Sequence, residues 1–188
     1  MKDLFPIPIL HEKIPLQNNN LFEQIKAARV LLDEDIHYYT SFYEEDPMKG
    51  IEWSTLRETI LLTARKYIMQ TTSEEHSRTS NLKIHAWWNL YEQGTHHCWH
   101  SHSNVRASGT YYVYTDKNTV PIEFKSPIES LIKSWDPTFG VGTRWSQENK
   151  IYPEPGDILI WPPFVEHQVP LTRKANNNLR CTVSFNIQ

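Results

Sequence analysis

Residues 96–103, with the sequence HHCWHSHS, contain four of the nine histidines of this chain. In a β-strand, side chains two positions apart point to the same face, so His100 and His102 would lie together and His97 would lie on the opposite face. Two imidazoles on one strand face can bind one metal ion. An isolated pair is more often solvated or packed in a core, so a metal site requires a third ligand from elsewhere in the chain.

A third histidine follows another predicted strand. Gly156 and Asp157 are turn residues, residues 157–161 are predicted to form a strand, and His167 comes shortly after it. Neutral imidazoles favour Fe(II), Zn(II), Cu(II) or Ni(II) over Mg(II) or Ca(II), and three protein ligands leave positions open for substrate. The pattern predicts a catalytic metal site. Four other histidines have no partner at ligand spacing and are interpreted as structural or solvated: His11, His37, His76 and His85.

An arginine in the last predicted strand, residues 179–187, adds a second feature. Arg180 and Thr182 would share one face of this strand, and the neighbouring residues are apolar. An arginine buried without a partner is costly, and its planar guanidinium suits a carboxylate that accepts two hydrogen bonds. Two interpretations stay open: a structural ion pair with an acidic side chain, or an anion clamp at the bottom of a metal pocket.

The elements that would position these residues divide the chain into a helical part and a strand part. Apolar residues recur at helical spacing over residues 20–32 and 55–70, and Thr55 with Glu58 fits a capping box. Short β-branched and aromatic runs then predict strands at residues 81–91, 107–115, 119–124, 157–162 and 179–187.

This order predicts an α+β fold in a single domain, residues 1–188. Helical support would cover about residues 18–72, and a β-sandwich or barrel would cover about residues 82–188. Residues 126–152 show no clean period and are expected to form a long loop or insert, which in compact domains is often a lid. Trp161 and residues 134–145 would line or cover the pocket.

Composition argues against several classes of function. A net charge of −3 disfavours a nucleic-acid partner. No apolar run approaches the roughly 18 residues of a membrane span, which predicts no membrane partner. Two cysteines are too few for a secreted disulfide framework, although they could pair in space. The expected location is the cytoplasm, and a homo-oligomer stays open.

Together, His-x-His, a distant histidine and Arg-x-Thr resemble the 2-oxoglutarate/Fe(II) oxygenases, in which His-x-Asp and a distant His bind iron and Arg-x-Ser holds the co-substrate. Blocks such as AWWNLY, HSHSNVRASGTYYV and RCTVSFNI resemble, in the same order, those of the phage-type subgroup of this family. If a phage encodes the chain, the expected location is the host cytoplasm. The stretch YEQGTHHCWHSH is also similar to a prolyl-hydroxylase pattern that places Tyr91, Gly94 and His100. The resemblance implies a double-stranded β-helix, a jelly-roll or cupin-like barrel with N-terminal supporting helices.

The resemblance also implies roles for individual residues. His100, His102 and His167 would ligate Fe(II). The 5-carboxylate of 2-oxoglutarate would be held by Arg180, Thr182 and Tyr112, and Tyr91 would reach the other end of the co-substrate. Tyr112 would share a strand face with Ser108, Thr110 and Tyr114. The chain would then be an O₂-dependent dioxygenase, a hydroxylase, with a prime substrate that the motifs do not specify.

One departure from the family pattern affects the metal. His102 stands where the family has a carboxylate, so the triad has three neutral imidazoles, a set that suits Zn(II) as well as Fe(II). Asp116 and Glu154 are the nearest carboxylates in sequence, and either could enter the site.

Two other classes compete with the oxygenase. A cupin-type metalloenzyme or metal-binding protein would explain the glycine and histidine spacing around Gly94 and Gly156, but the glutamate expected after His-x-His is absent, and Arg180 would have no role. A β-sandwich with a structural zinc ion, or with none, would make the chain a non-catalytic protein. The oxygenase explains more of the residues.

Overall fold

The computed structural model describes residues 7–16, 18–29, 38–72, 81–92, 94–128, 134, 149–171 and 179–188. Within these residues lie two helices, α1 (Asn19–Arg29) and α2 (Ser54–Thr71). The strands are β1 (Leu10–Lys13), β2 (Tyr39–Thr40), β3 (Ile84–Tyr91), β4 (His97–His100), β5 (Ala107–Thr115), β6 (Ile122–Phe124), β7 (Asn149–Ile151), β8 (Asp157–Trp161), β9 (His167–Val169) and β10 (Arg180–Ile187).

The strands of the described part form two antiparallel sheets. The larger sheet has the order β1-β8-β5-β10-β3-β2, and the smaller sheet has the order β4-β9-β6-β7. The Trp161 ring of the larger sheet contacts Phe124 and His167 of the smaller sheet, at centroid distances of 5.2 and 4.7 Å. The sheets therefore face each other as a jelly roll, and the predicted α+β fold with N-terminal helices is confirmed.

Strand alternation in β10 separates the core from the site. Val183 and Phe185 point to the helix side, where they are fully buried in one apolar cluster with Ile60 and Ile68 of α2. The alternate residues of β10 include Arg180, which lines a cavity between the two sheets. One strand thus supplies apolar side chains to the core and polar side chains to the cavity.

The structure differs from the sequence prediction at several element ends. The N-cap residue of α2 is Trp53, which makes no side-chain cap hydrogen bond, so the predicted capping box is wrong. The Ser54 hydroxyl donates instead to the Glu52 carboxylate, at 2.5 Å. The predicted end of the first helix falls in residues 30–37, outside the described residues. The predicted lid also falls largely outside them, since only residues 126–128, 134 and 149–152 of that segment are described.

Two further findings concern the cysteines and the helices. Cys98 and Cys181 are both free thiols, one exposed and one buried, so they do not form the disulfide that the sequence left open. Among the described residues, no helix has the length and apolar character required to cross a membrane.

Candidate active site

The three predicted ligand histidines come together between the sheets. His100 ends β4 and pairs with His167, which begins β9. His102 lies just beyond β4, where its backbone N–H donates to the Pro163 carbonyl at 2.9 Å. The ligand atoms of the three side chains all lie within 4.8 Å of one another. The jelly roll therefore gathers His-x-His and the distant histidine into one triad.

Backbone carbonyls fix two of these rings. His100 Nδ1 lies 2.8 Å from the Cys98 carbonyl oxygen, and His167 Nδ1 lies 3.0 Å from that of Val165. Because a carbonyl oxygen only accepts, each Nδ1 must carry the proton, and each Nε2 keeps its lone pair. Histidines that ligate metals are oriented in this way by their second nitrogen. The donor set fits a divalent transition metal.

Burial keeps the triad uncharged. Desolvation lowers the pKa of His102 to about 4, and the neighbouring His100 adds to the effect. The pKa of His167 is well below its usual value, again mainly through desolvation, and that of His100 is lowered for the same reason. At neutral pH the rings are neutral imidazoles, which is the protonation state that binds a metal.

These shifts predict an acid-sensitive metal-free protein. A histidine whose pKa is lower in the folded state than its ordinary value of 6.5 binds more protons when unfolded, so the free energy of unfolding falls as the pH falls below about 6.5. We expect the Tm of the metal-free protein to fall steadily between about pH 7 and pH 5, a window above the ordinary titration of carboxylates. A stoichiometric divalent metal should raise Tm more at pH 7 than at pH 5, since protons compete for the same nitrogens. A Tm that stays constant or rises toward pH 5 would contradict the buried, neutral triad.

Neither candidate carboxylate enters the triad. The Asp116 carboxylate accepts hydrogen bonds from the backbone N–H groups of Asn118 and Leu179, each at 2.9 Å. The Glu154 side chain is 77% exposed and pairs with Lys13. The suggestion that one of them joins the ligands is therefore wrong, and in the part of the chain that the structure describes the grouped ligands are the three imidazoles.

Arg180 is buried, with 2% of its surface exposed. Its Nη2 donates to the Tyr112 hydroxyl at 3.1 Å, and its Nη1 donates to the Val120 carbonyl at 3.3 Å. The guanidinium also lies over the rings of Tyr112 and Tyr91, at 4.9 and 5.3 Å from their centroids. Among the described residues, its Nε has no hydrogen-bond partner and the guanidinium forms no ion pair with a carboxylate. The described residues thus supply no structural ion pair for this cation.

Thr182 and Tyr112 lie opposite each other on the paired strands β10 and β5. The Thr182 hydroxyl accepts from Asn89 Nδ2 at 3.3 Å. Thr182 of β10 lies opposite Tyr112, and Cys181 lies opposite Tyr114, so Val113 has no pairing partner in β10. Tyr114 therefore turns to the helix side, and the prediction that it shares a face with Tyr112 is wrong.

One cavity between the sheets unites the triad and the arginine. It is open to solvent on one side, and the space between its walls is about 420 Å³ when the solvent at the opening is counted. Trp161 lines it, as predicted, and its Nε1 is a buried donor without a partner in the described part of the chain, while Asn89 Oδ1 is a buried acceptor in the same condition. Residues around the cavity include His100, His102, His167, Tyr91, Arg180 and Thr182. Its unpaired polar atoms indicate a polar ligand.

The sequence prediction missed His97. Pairing of His97 with Val169 and of His100 with His167 differs by one position, so β4 is irregular between them. Both rings consequently lie on the cavity side and stack at a centroid distance of 3.9 Å. Desolvation and the nearby histidines lower the pKa of His97 to about 3. Simple alternation placed this residue on the opposite face, and an irregularity of this kind carries no clear signal in the sequence.

Comparison with solved structures places the fold among the prolyl-hydroxylase-like jelly rolls. A Pseudomonas putida prolyl-4-hydroxylase aligns with a TM-score of 0.61 and 12% identity, over 97% of this chain and 92% of that chain. A viral collagen prolyl hydroxylase from Paramecium bursaria Chlorella virus-1, solved with 2-oxoglutarate, aligns with a TM-score of 0.55 and 11% identity, over 95% and 94% of the two chains. No curated protein matches the sequence.

The sequence itself defines the family. Residues 85–186 match the profile described as 2OG-Fe(II) oxygenase, which covers more than half of the chain. The chain therefore belongs to the 2OG-Fe(II) oxygenase family. Membership makes it an oxidoreductase that uses Fe(II), 2-oxoglutarate and O₂, and favours this class over the cupin and the non-catalytic sandwich.

Proposed function

We propose that the chain is a hydroxylase in which His100, His102 and His167 hold Fe(II), while Arg180, Thr182 and Tyr112 hold the 5-carboxylate of 2-oxoglutarate. Tyr91, which lines the same cavity, would contact the other end of the co-substrate. When bound, the iron supplies the O₂ chemistry that decarboxylates 2-oxoglutarate to succinate and hydroxylates a C–H bond. The residues of the chain bind and orient the reactants and keep water out.

The observation that carries the proposal is the buried Arg180 guanidinium. A guanidinium removed from water requires an anion or a full set of acceptors, and this one has a hydroxyl, a carbonyl and an Nε without a partner in the described residues. A carboxylate that entered the cavity would neutralise the charge and could accept from the free Nε. The distal carboxylate of 2-oxoglutarate is such a group.

The charge balance of the cavity supports a dianionic ligand. A divalent metal on three neutral imidazoles, together with Arg180, brings three positive charges to a cavity whose described lining contains no aspartate or glutamate. The two carboxylates of 2-oxoglutarate would offset two of them. Neutralisation of the metal charge would therefore depend on this dianion more than in a site where the protein supplies a carboxylate ligand.

Other parts of the proposal concern partners and location. A net charge of −3 supports a prime substrate that is not a nucleic-acid backbone. Two free thiols support a reducing location such as the cytoplasm.

Calorimetric titration of the Fe(II)-loaded and the metal-free protein with 2-oxoglutarate and with glutarate, under anaerobic conditions, tests the proposal. Glutarate has both carboxylates but no keto oxygen, so it reports the arginine clamp with less metal chelation. We expect one 2-oxoglutarate per chain, bound more tightly than glutarate and more tightly with iron than without. A protein that binds metal but neither dicarboxylate would support the cupin-type alternative instead.

A further inference from the structure

A column of stacked rings joins the metal triad to the arginine. The His97 ring stacks on His100 at 3.9 Å with an interplanar angle of 20°. The His97 ring also contacts Tyr38, at a centroid distance of 4.6 Å, and Tyr38 stacks on Tyr91 at 4.9 Å with an interplanar angle of 11°. Arg180 lies over the far ring, Tyr91. We call Tyr38, Tyr91 and His97 the aromatic column.

A hydrogen bond links two rings of the aromatic column, Tyr38 and His97. The Tyr38 hydroxyl oxygen and His97 Nε2 are 3.2 Å apart. Burial raises the pKa of Tyr38, so the hydroxyl keeps its proton and can donate to the imidazole. Stacking and this hydrogen bond together restrict rotation of His97, whose ring lies against His100.

The position of Tyr38 is set by the strand next to it. Tyr39 pairs with Leu90 and Thr40 with Asn89, and the same register continued by one residue places Tyr38 beside Tyr91. Arg29 of α1 holds this segment, because its Nη2 donates to the Tyr39 hydroxyl at 2.8 Å and to the Glu92 carboxylate at 3.0 Å. Tyr38 and Arg29 both lie outside the family match, which begins at residue 85.

We infer that Tyr38 and His97 are positioning residues: they hold the rings of His100 and Tyr91 and thereby couple metal binding to 2-oxoglutarate binding. This inference rests on the proposed function. Outer contacts that orient a metal ligand affect its affinity for the metal, and a rigid connection between two ligand sites makes the binding of one depend on the other. The N-terminal part of the chain then contributes to the site as well as to the core.

The test compares Tyr38→Ala and Tyr38→Phe with wild type. Fe(II) affinity and 2-oxoglutarate affinity are measured anaerobically, and the visible absorption of the Fe(II) complex with 2-oxoglutarate is recorded for each protein. We expect Tyr38→Ala to weaken Fe(II) binding by roughly tenfold, to weaken 2-oxoglutarate binding and to shift the absorption maximum. Tyr38→Phe keeps the stack, so it should recover most of the loss.

Tyr67→Phe is the matched control, because it removes a hydroxyl that donates to the Pro8 carbonyl at 3.0 Å, in the helix-side core. It should leave the metal and co-substrate affinities unchanged. If Tyr38→Ala does not fold, a comparison of His97→Ala with His97→Phe tests the aromatic column at the ring that stacks on His100. Wild-type affinities and an unshifted spectrum in the alanine variants, or equal losses in Tyr67→Phe, would overturn the inference. If the wild-type protein does not bind 2-oxoglutarate, the proposed function itself is contradicted.

Discussion

Arg180→Ala is expected to lose 2-oxoglutarate binding while Fe(II) affinity changes little. The variant removes the buried guanidinium and its N–H donors, so a carboxylate that enters the cavity has no charged partner. In a site without water this loss costs roughly 2–5 kcal/mol of binding free energy. Arg180 is 2% exposed and its guanidinium donates a hydrogen bond to the Tyr112 hydroxyl, so screening by water is weak. Calorimetric titration of the Fe(II)-loaded variant measures the loss.

Two further variants separate charge from geometry. Arg180→Lys keeps a positive charge but not the planar fork, so it should retain only part of the affinity. Arg57→Ala removes an exposed arginine of α2 and should bind 2-oxoglutarate as wild type does. If Arg180→Ala binds 2-oxoglutarate as tightly as wild type, Arg180 has no place in the co-substrate site.

His102→Asp is expected to keep or raise Fe(II) affinity, whereas His102→Ala should lose most of it. Aspartate restores a carboxylate where the triad has an imidazole, and an anionic oxygen suits Fe(II). The same change adds a negative charge to the cavity, so 2-oxoglutarate should bind more weakly than in wild type. Titration of both variants with Fe(II) and then with 2-oxoglutarate measures the two effects separately.

This comparison tests the ligand set itself. Retention of the metal in the aspartate variant, combined with its loss in the alanine variant, places His102 in the coordination sphere. If His102→Ala binds Fe(II) as tightly as wild type, or if His102→Asp binds none, then His102 is not the ligand that the triad requires.

Regular alternation made much of this site accessible from the sequence. The β10 residues Arg180 and Thr182 point into the cavity because they alternate with apolar residues that fill the helix-side core. His100 and His167 meet because β4 and β9 are neighbours, an arrangement that the family resemblance implies and that spacing alone does not. Element type was therefore easier to predict than element pairing.

The failures occur where the backbone departs from regular geometry. An irregular register in β4 brings His97 to the cavity side, and an extra residue in β5 turns Tyr114 away from it. Tyr38 directly precedes β2, a strand of only two residues, which is too short to give a periodic signal in the sequence. Such positions depend on tertiary pairing, which a single sequence does not display.

The central claim is that one cavity binds Fe(II) on three histidines and 2-oxoglutarate on Arg180. Anaerobic addition of Fe(II) and then 2-oxoglutarate to the metal-free protein, followed by visible absorption, tests it most directly. We predict a weak metal-to-ligand absorption band that saturates at one 2-oxoglutarate per chain, persists in Arg57→Ala and disappears in Arg180→Ala. A protein that takes up zinc but shows no band with Fe(II) and no 2-oxoglutarate binding would contradict the account.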